Sequence, residues 1–199
     1  FDLSRPTLLF LGGSAWTVKT EPVLEAVLAD GELREAANVV VVAGRDRAFE
    51  ARLRARPAAG LHVFGFVAPE ILAALMGLAQ VPVLGSLAPA TLQELLEVGL
   101  GPLLLFHFIP GSERAHVGYI DGQRLGLYVP DTSGMLHRIR EMLDLETPSD
   151  QLARARDGYR ERARLLRSRS VERALQLSRF LEQMLETPQV TRGGARAVG

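Results

Sequence analysis

Apolar residues in this chain alternate between short continuous runs and segments in which they recur at helical spacing. The runs include TLLFL and NVVVV, and each of these two is followed closely by glycine. Such runs are typical of strands that are buried on both faces, as in a parallel sheet covered by helices. Six strands are predicted, at residues 6–11, 38–43, 61–66, 81–84, 102–106 and 125–128.

Helical periodicity fills the intervals between these strands. A first helix, capped by Ser14 or Thr17, is predicted to end at Gly31, and further helices are predicted at 45–56, 69–78, 90–98, 116–120 and 132–143. The alternation predicts an α/β fold, a Rossmann-like doubly wound parallel sheet. Pro82 conflicts with a central position for its strand, because proline cannot donate a hydrogen bond to a ladder.

The composition changes after residue 147. Eleven arginines follow Ser149, and apolar residues recur there at helical spacing, which predicts long C-terminal helices with a kink or a break at 168–170. The sequence therefore predicts a Rossmann-like domain at 1–147, a helical segment at 148–187 that packs on it, and a flexible tail at 188–199.

Composition excludes several classes of site. The 199 residues include no cysteine, which rules out disulfides, thiolate zinc sites and cysteine nucleophiles and agrees with a cytoplasmic protein. Basic and acidic residues number 23 each, and acids are interleaved with the C-terminal arginines, which favours a solvated helix face over a nucleic-acid surface. The four histidines lack metal-ligand spacing, and no Ser-His-Asp arrangement is recognisable.

The turn after the first strand is the sharpest local feature. Gly12, Gly13 and Ser14 in LFLGGSAWT precede a predicted helix, and a glycine backbone beside free helix amides suits a phosphate. The same residues also suit the tight turn of any doubly wound domain. The segment lacks the Gly-Lys-Ser/Thr ending of a P-loop and the glycine spacing of GxGxxG.

Other candidate residues follow the carboxyl ends of the next two strands, where open parallel sheets bind ligands. Gly44 and Arg45 follow the second strand, and Phe66 and Val67 follow the third. The ordinary interpretation of Arg45 is a solvent-facing helix start, and that of Phe66 is a core side chain.

Two later segments complete this edge of the predicted sheet. Thr91 and Glu94 lie at the start of the helix after the fourth strand, where an acid also complements the helix dipole. Segment 106–120, FHFIPGSERAHVGYI, contains Glu113 and His116 after the fifth strand. It is either a solvated loop or a source of groups that grip sugar hydroxyls.

Taken in order, GGS, VVVVAGR, the GFV turn, Thr-x-x-Glu and PGSERAH resemble the C-terminal half of a family 28 glycosyltransferase over about residues 6–143. The patterns resemble those of monogalactosyldiacylglycerol synthases, processive diacylglycerol glucosyltransferases and peptidoglycan N-acetylglucosaminyltransferases. The ordering carries the resemblance, since no single motif would suffice. It implies one half of a GT-B fold, the half that binds the donor.

The resemblance also implies a reaction, the inverting transfer of a hexose from a UDP-sugar to a lipid-type acceptor, in which helix amides stabilise the departing diphosphate. It assigns Gly12, Gly13 and Ser14 to the turn near the diphosphate, and Gly44 and Arg45 to a GR pair. Phe66 and Val67 match the turn that addresses the base, while Thr91 and Glu94, with Ala90 in the small-residue loop before them, match the element that binds the ribose. Glu113 and His116 fall in the segment that contacts the donor sugar.

Partners and location follow from the same resemblance. No cofactor and no metal are implied, and the UDP-sugar is a donor substrate. The lipid acceptor and the general base belong to an N-terminal domain that this sequence lacks, so we expect the isolated chain to be inactive. A role in glycolipid or cell-envelope biosynthesis implies a cytoplasmic protein in peripheral contact with the inner face of the membrane, through its arginine-rich helices.

Two alternatives stay open. Ala88 and Ala90 stand where the family has glycines close to the phosphates, which favours a catalytically eroded Rossmann-like interaction module. A UDP-N-acetylglucosamine 2-epimerase has a similar fold and is disfavoured, because the histidines and acids it would need are not grouped in the sequence.

Overall fold

A computed structural model describes residues 1–11, 16–56, 58–86 and 88–186 of the chain. Strands and helices alternate along it, and the strands form one six-stranded sheet. The elements are β1 (Thr7–Leu11), α1 (Trp16–Ala29), α2 (Gly31–Ala36), β2 (Asn38–Val42), α3 (Arg47–Arg54), β3 (Leu61–Phe64), α4 (Pro69–Leu78), β4 (Ala79–Leu84), α5 (Pro89–Val98), β5 (Leu103–Leu105), α6 (Arg114–Gly122), β6 (Gly126–Tyr128), α7 (Thr132–Met142) and α8 (Asp150–Glu186).

The sheet is parallel throughout, with the order β3-β2-β1-β4-β5-β6. From β1 the chain builds outward through β2 and β3 on one side, and then through β4, β5 and β6 on the other. The order therefore reverses between β1 and β4. Ligands of open α/β sheets bind beyond the carboxyl ends of the strands at such a reversal.

Alternating strand residues supply two cores, one on each face of the sheet. Leu8 and Phe10 pack with residues of α1, α3 and α7, whereas Leu9 and Leu11 pack with residues of α4 and α5. Because successive strand residues point to opposite faces, only continuous apolar runs can fill both cores. This explains why the runs in the sequence predict the sheet, and the predicted Rossmann-like doubly wound fold is confirmed.

Pro82 lies in β4, next to β1, and the sheet accommodates it. The backbone N–H of Gly85 donates to the carbonyl oxygen of Leu11 at 3.0 Å, so odd-numbered residues of this segment direct their N–H groups towards β1. By alternation the nitrogen of Pro82 faces β5. The pairing of β4 with β5 begins only at Val83, so no ladder hydrogen bond is lost.

The helices differ from the prediction in two places. The first helix ends at Ala29, and Asp30 caps a separate helix α2 by accepting a hydrogen bond from the Leu33 N–H at 3.1 Å. Of the kink or break predicted at 168–170, the break is wrong, because α8 is continuous there. The Ser168 hydroxyl donates to the Leu165 carbonyl at 3.0 Å, which lets the serine remain in the helix.

The first half of α8 packs on the domain. Leu152, Ala155 and Ala163 are buried, and the hydroxyl of the buried Tyr159 donates to the carbonyl oxygen of Leu95 in α5 at 2.5 Å. Farther along, α8 has exposed apolar side chains, such as Val171. The predicted tail at 188–199 lies outside the described residues. Within the residues described, no helix is both long and apolar enough to span a membrane.

A buried carboxylate fixes the junction between α7 and α8. Glu141 is 1% exposed; it accepts hydrogen bonds from the Arg138 guanidinium at 2.6 Å and from the Ser149 N–H at 2.7 Å. Burial acts to raise the pKa of Glu141, but the bonds from Arg138 and Ser149 outweigh it, and the pKa lies below its ordinary value. The turn between the helices is thus held by an ionised group.

Candidate functional site

A cavity of about 200 Å³ opens at the carboxyl edge of the sheet, where the strand order reverses. Its lining comes from the ends of β1 and β2, the turns after β2, β3 and β4, and helices α4 and α5. The lining residues are Leu11, Val42, Gly44, Phe66, Val67, Leu72, Met76, Ser86, Ala88 and Thr91.

The lining has an apolar interior and a few polar groups. Leu11, Val42, Leu72 and Met76 supply aliphatic and thioether surface, while Ser86 and Thr91 supply hydroxyl groups and the turns supply backbone amides and carbonyls. Small-molecule sites commonly combine a mostly apolar surface with a few placed hydrogen-bonding groups. The cavity therefore suits a largely uncharged group that has a few hydrogen-bonding atoms.

A wider depression adjoins the cavity and shares Gly44, Phe66 and Val67 with it. We call this depression the arginine basin. It has a volume of about 720 Å³ and is lined by Gly44, Arg45, Arg47, Glu50, Arg54, Phe64, Gly65, Phe66 and Val67.

Phe66 stands between the cavity and the basin. Its interpretation as a core side chain is wrong, because β3 ends at Phe64 and Phe66 is 69% exposed. The Arg45 guanidinium lies 4.9 Å from the ring centroid, a cation–π contact. Gly44 makes the turn that leads to Arg45, with a φ of 59° that favours glycine.

The structure brings together some of the predicted site residues. Gly44, Phe66, Val67 and Thr91 line the cavity, and Arg45 lines the adjoining arginine basin. Those residues come from the turns after β2 and β3 and from the first turn of helix α5, all at the edge where parallel sheets bind ligands. Gly12, Gly13 and Ser14 lie outside the described residues.

Other predicted residues do not line this cavity. Ala90 and Glu94 are exposed on α5, close in sequence to Thr91. Glu113, at the start of α6, is 7% exposed and its carboxylate accepts a hydrogen bond from the Ile109 N–H at 2.8 Å, which closes the loop before α6. His116 is half-buried in the first turn of α6.

Sequence patterns miss the α4 side of the cavity. Leu72 and Met76 are one helical turn apart, which is also the spacing of an ordinary core stripe. The composition of α4 is a signal that could indicate an apolar cavity wall, because Glu70 is the sole charged residue of this helix. Within the described ranges, no group of three or more histidine, aspartate or glutamate side chains is arranged to hold a metal ion.

Gly85 follows β4 directly and precedes Ser86, which lines the cavity. A Cβ atom at this position would lie 2.9 Å from the Phe106 ring and 2.9 Å from the Thr20 hydroxyl oxygen, which is buried and has no hydrogen-bond partner among the described residues. We expect Gly85→Ala to lower the free energy of unfolding by about 1 to 3 kcal/mol through overpacking. Thermal unfolding measures this loss, and Gly118→Ala on α6, where a Cβ meets open space, is the control. Equal stability of the two variants would contradict the packing argument.

Comparisons with known proteins identify the fold. No protein-family model matches the sequence, and no curated protein sequence matches it. The solved structure of the glycosyltransferase of kitacinnamycin matches over 82% of this chain and 40% of its own, with 16% identity and a TM-score of 0.56. WaaG, a glycosyltransferase involved in lipopolysaccharide biosynthesis, matches over 82% of this chain and 43% of its own, with 23% identity and a TM-score of 0.55. A putative UDP-N-acetylglucosamine 2-epimerase from Listeria monocytogenes matches over 78% of this chain and 41% of its own, with 17% identity and a TM-score of 0.55.

At these identities the likeness establishes the fold, and this chain is a Rossmann-like half of a GT-B fold. The chain spans about two fifths of the length of the structures it matches. An epimerase and two glycosyltransferases match with nearly equal TM-scores, so the fold does not separate the two kinds of enzyme.

Proposed function

We propose that this chain binds a nucleotide-sugar donor, a UDP-sugar, as part of a glycosyltransferase of family 28 type. The observation that carries the proposal is the convergence of Gly44, Phe66, Val67 and Thr91 on one cavity. These residues come from two turns and from the start of α5, and their order along the chain resembles that of a donor site. Turns at one edge of a parallel sheet converge in any such fold, so the shared cavity supports a ligand site at the edge where the strand order reverses, and the resemblance supports a nucleotide-sugar donor as its ligand.

The cavity favours the nucleoside end of such a donor. A pyrimidine base has apolar faces and polar edges, which match the aliphatic interior and the backbone groups of the turn at Phe66 and Val67. Glu94 lies three residues after Thr91 and is therefore its neighbour on the surface of α5. Its carboxylate makes no hydrogen bond or ion pair with any described residue, which leaves it free to accept hydrogen bonds from ribose hydroxyls.

The start of α5 supports a place for the diphosphate. Ala88 precedes the helix and makes no side-chain capping bond, so the first amides of α5 have no side-chain acceptor there. Amides at a helix start stabilise a phosphate and the negative charge of a departing diphosphate. Transfer with inversion, a hexose as the transferred group and a lipid as acceptor are further parts of the proposal, suggested by the resemblance. The proposal also includes a peripheral membrane contact, and an acceptor site and a general base on a second domain, all suggested by the same resemblance.

A second candidate is an eroded interaction module without nucleotide-sugar turnover. Ala88 lines the cavity, so its methyl group occupies space that a glycine would leave to the ligand. Against this, Ala88 has a φ of −63° and a ψ of 133°, which alanine adopts without strain, so the turn itself does not require glycine.

Binding of UDP separates the two candidates. We expect calorimetry to show UDP binding to the chain, and we expect Glu94→Ala to weaken it about 10- to 100-fold, because a charged acceptor of two hydroxyl hydrogen bonds is lost. Glu35→Ala, which removes an exposed carboxylate from α2, is the control and should leave the affinity unchanged. Absence of heat at millimolar UDP would instead favour the eroded module.

A further inference from the structure

The arginine basin has an excess of positive charge. Three of its lining residues are arginines, and Glu50 is the acid among them. Glu50 is already paired, since its carboxylate lies 2.8 Å from the Arg54 guanidinium. Arg45 and Arg47 form no ion pair with any residue in the described ranges, so two positive charges remain without a partner acid.

The acid that lies between these arginines in sequence is engaged elsewhere. Asp46 caps α3, where its carboxylate accepts a hydrogen bond from the Phe49 N–H at 2.9 Å. It therefore satisfies a helix amide and is not among the residues that line the basin. The local sequence GRDR thus places two arginines at the basin and withdraws the aspartate from it.

The basin is also partly preorganised. The cation–π contact with Phe66 holds the Arg45 guanidinium at the boundary with the cavity. Glu50 packs closely against Gly65, where a Cβ atom would lie 2.4 Å from a carboxylate oxygen. Holding a guanidinium in place before binding reduces the entropy that a ligand must offset.

We propose that the arginine basin is a phosphate subsite that adjoins the cavity. Guanidinium groups match phosphate oxygens in geometry and charge, and two arginines that line one depression without ion-pair partners among the described residues suit a group with more than one negative charge. The subsite holds either the diphosphate of the nucleotide in the cavity, in place of the start of α5, or a phosphate of a second molecule bound beside a nucleotide whose diphosphate lies at α5. The inference rests on the proposed function for the identity of the uncharged part that enters the cavity.

The test is a titration of pyrophosphate into the full chain and into the double variant Arg45→Gln/Arg47→Gln. We expect pyrophosphate to bind the unchanged chain and the double variant to bind it about 10- to 100-fold more weakly. Arg164→Gln/Arg169→Gln removes the same charge from exposed positions of α8 and should bind as the unchanged chain does. Equal affinity of the two double variants, or no binding to the unchanged chain at millimolar pyrophosphate, would overturn the subsite.

Uridine and UDP separate this inference from the proposed function. Uridine has no charge, so its affinity should be the same for the unchanged chain and the Arg45→Gln/Arg47→Gln variant. If UDP displaces pyrophosphate, the nucleotide's own diphosphate occupies the basin; if both bind together, the phosphate comes from a second molecule. Binding of pyrophosphate without any binding of uridine or UDP would remove the proposed function and leave the subsite standing. Binding of UDP, combined with a pyrophosphate affinity that is unchanged in the Arg45→Gln/Arg47→Gln variant, would remove the subsite and leave the proposed function standing.

Discussion

Replacement of Tyr159 by alanine is expected to lower the free energy of unfolding by about 3 to 5 kcal/mol, the loss typical of a large buried aromatic residue. Tyr159 is 2% exposed, and its hydroxyl donates to the Leu95 carbonyl of α5. The substitution removes both the ring that packs α8 on the domain and this buried hydrogen bond. Urea unfolding followed by circular dichroism measures the change.

Two further variants separate the ring from the hydroxyl and test the role of burial. Tyr159→Phe retains the ring and leaves the Leu95 carbonyl without its donor, so we expect a loss of about 1 to 2 kcal/mol. Tyr119→Ala, on the surface of α6, should cost less than Tyr159→Phe. A loss below about 1 kcal/mol for Tyr159→Ala would show that α8 does not stabilise the domain.

The contribution of Tyr159 to the free energy of unfolding should decline at alkaline pH. Burial raises its pKa to about 12 from an ordinary value of 10.0, so its contribution is full below pH 10 and is lost as the pH rises through 12.

Leu95 lies on the same helix as Thr91 and Glu94. Amide exchange in α5 should therefore be faster in Tyr159→Ala, and the affinity for UDP should be lower.

Replacement of Glu141 by alanine is the second large effect that we expect, a loss of about 3 kcal/mol at neutral pH. The buried carboxylate accepts from Arg138 and from the Ser149 N–H, so its removal leaves the Ser149 N–H without this acceptor and breaks the ion pair with Arg138, which keeps its bonds to the Ser149 hydroxyl and to Gln151. The exposed Glu35→Ala is the control and should change stability by less than about 0.5 kcal/mol.

The effect of Glu141 should depend on pH in a known direction. Its pKa in the folded chain lies below the ordinary value of 4.5, so its stabilising contribution is full above pH 4.5 and declines as the pH falls through the lower, folded value. The difference in unfolding free energy between the unchanged chain and Glu141→Ala should therefore narrow in acid. A difference that stays constant from pH 7 to the acid limit of folding would contradict the assignment.

The sheet could be predicted from the sequence because its strands must fill two cores. No other arrangement accounts as simply for NVVVV between helical segments. Helix α2 could not be predicted, since it has six residues and a single buried leucine, too few for a periodic pattern. The false break at 168–170 arose because serine favours helix ends, whereas here a local bond to a backbone carbonyl keeps Ser168 in the helix.

The candidate site could be predicted only in part, for a different reason. Turn residues such as Gly44 and Val67 converge because every parallel strand ends at the same edge, and this holds without knowledge of packing. The contribution of Met76 depends on how α4 lies across the sheet, which no local pattern specifies. The engagement of Glu113 with the Ile109 amide is likewise a matter of three-dimensional closure.

Strand residues alternate between two cores, whereas Gly44, Phe66 and Val67 of the candidate site lie on turns outside those strands, so stability and recognition depend largely on different residues. Substitutions among the turns can redirect what is bound while the cores keep the chain folded. Phe66 and Arg47, which are largely exposed, are free to vary at little thermodynamic cost, whereas Leu9 and Phe10 are not. Selection can therefore retune the ligand of this scaffold, and an engineer can do the same, without redesigning its interior.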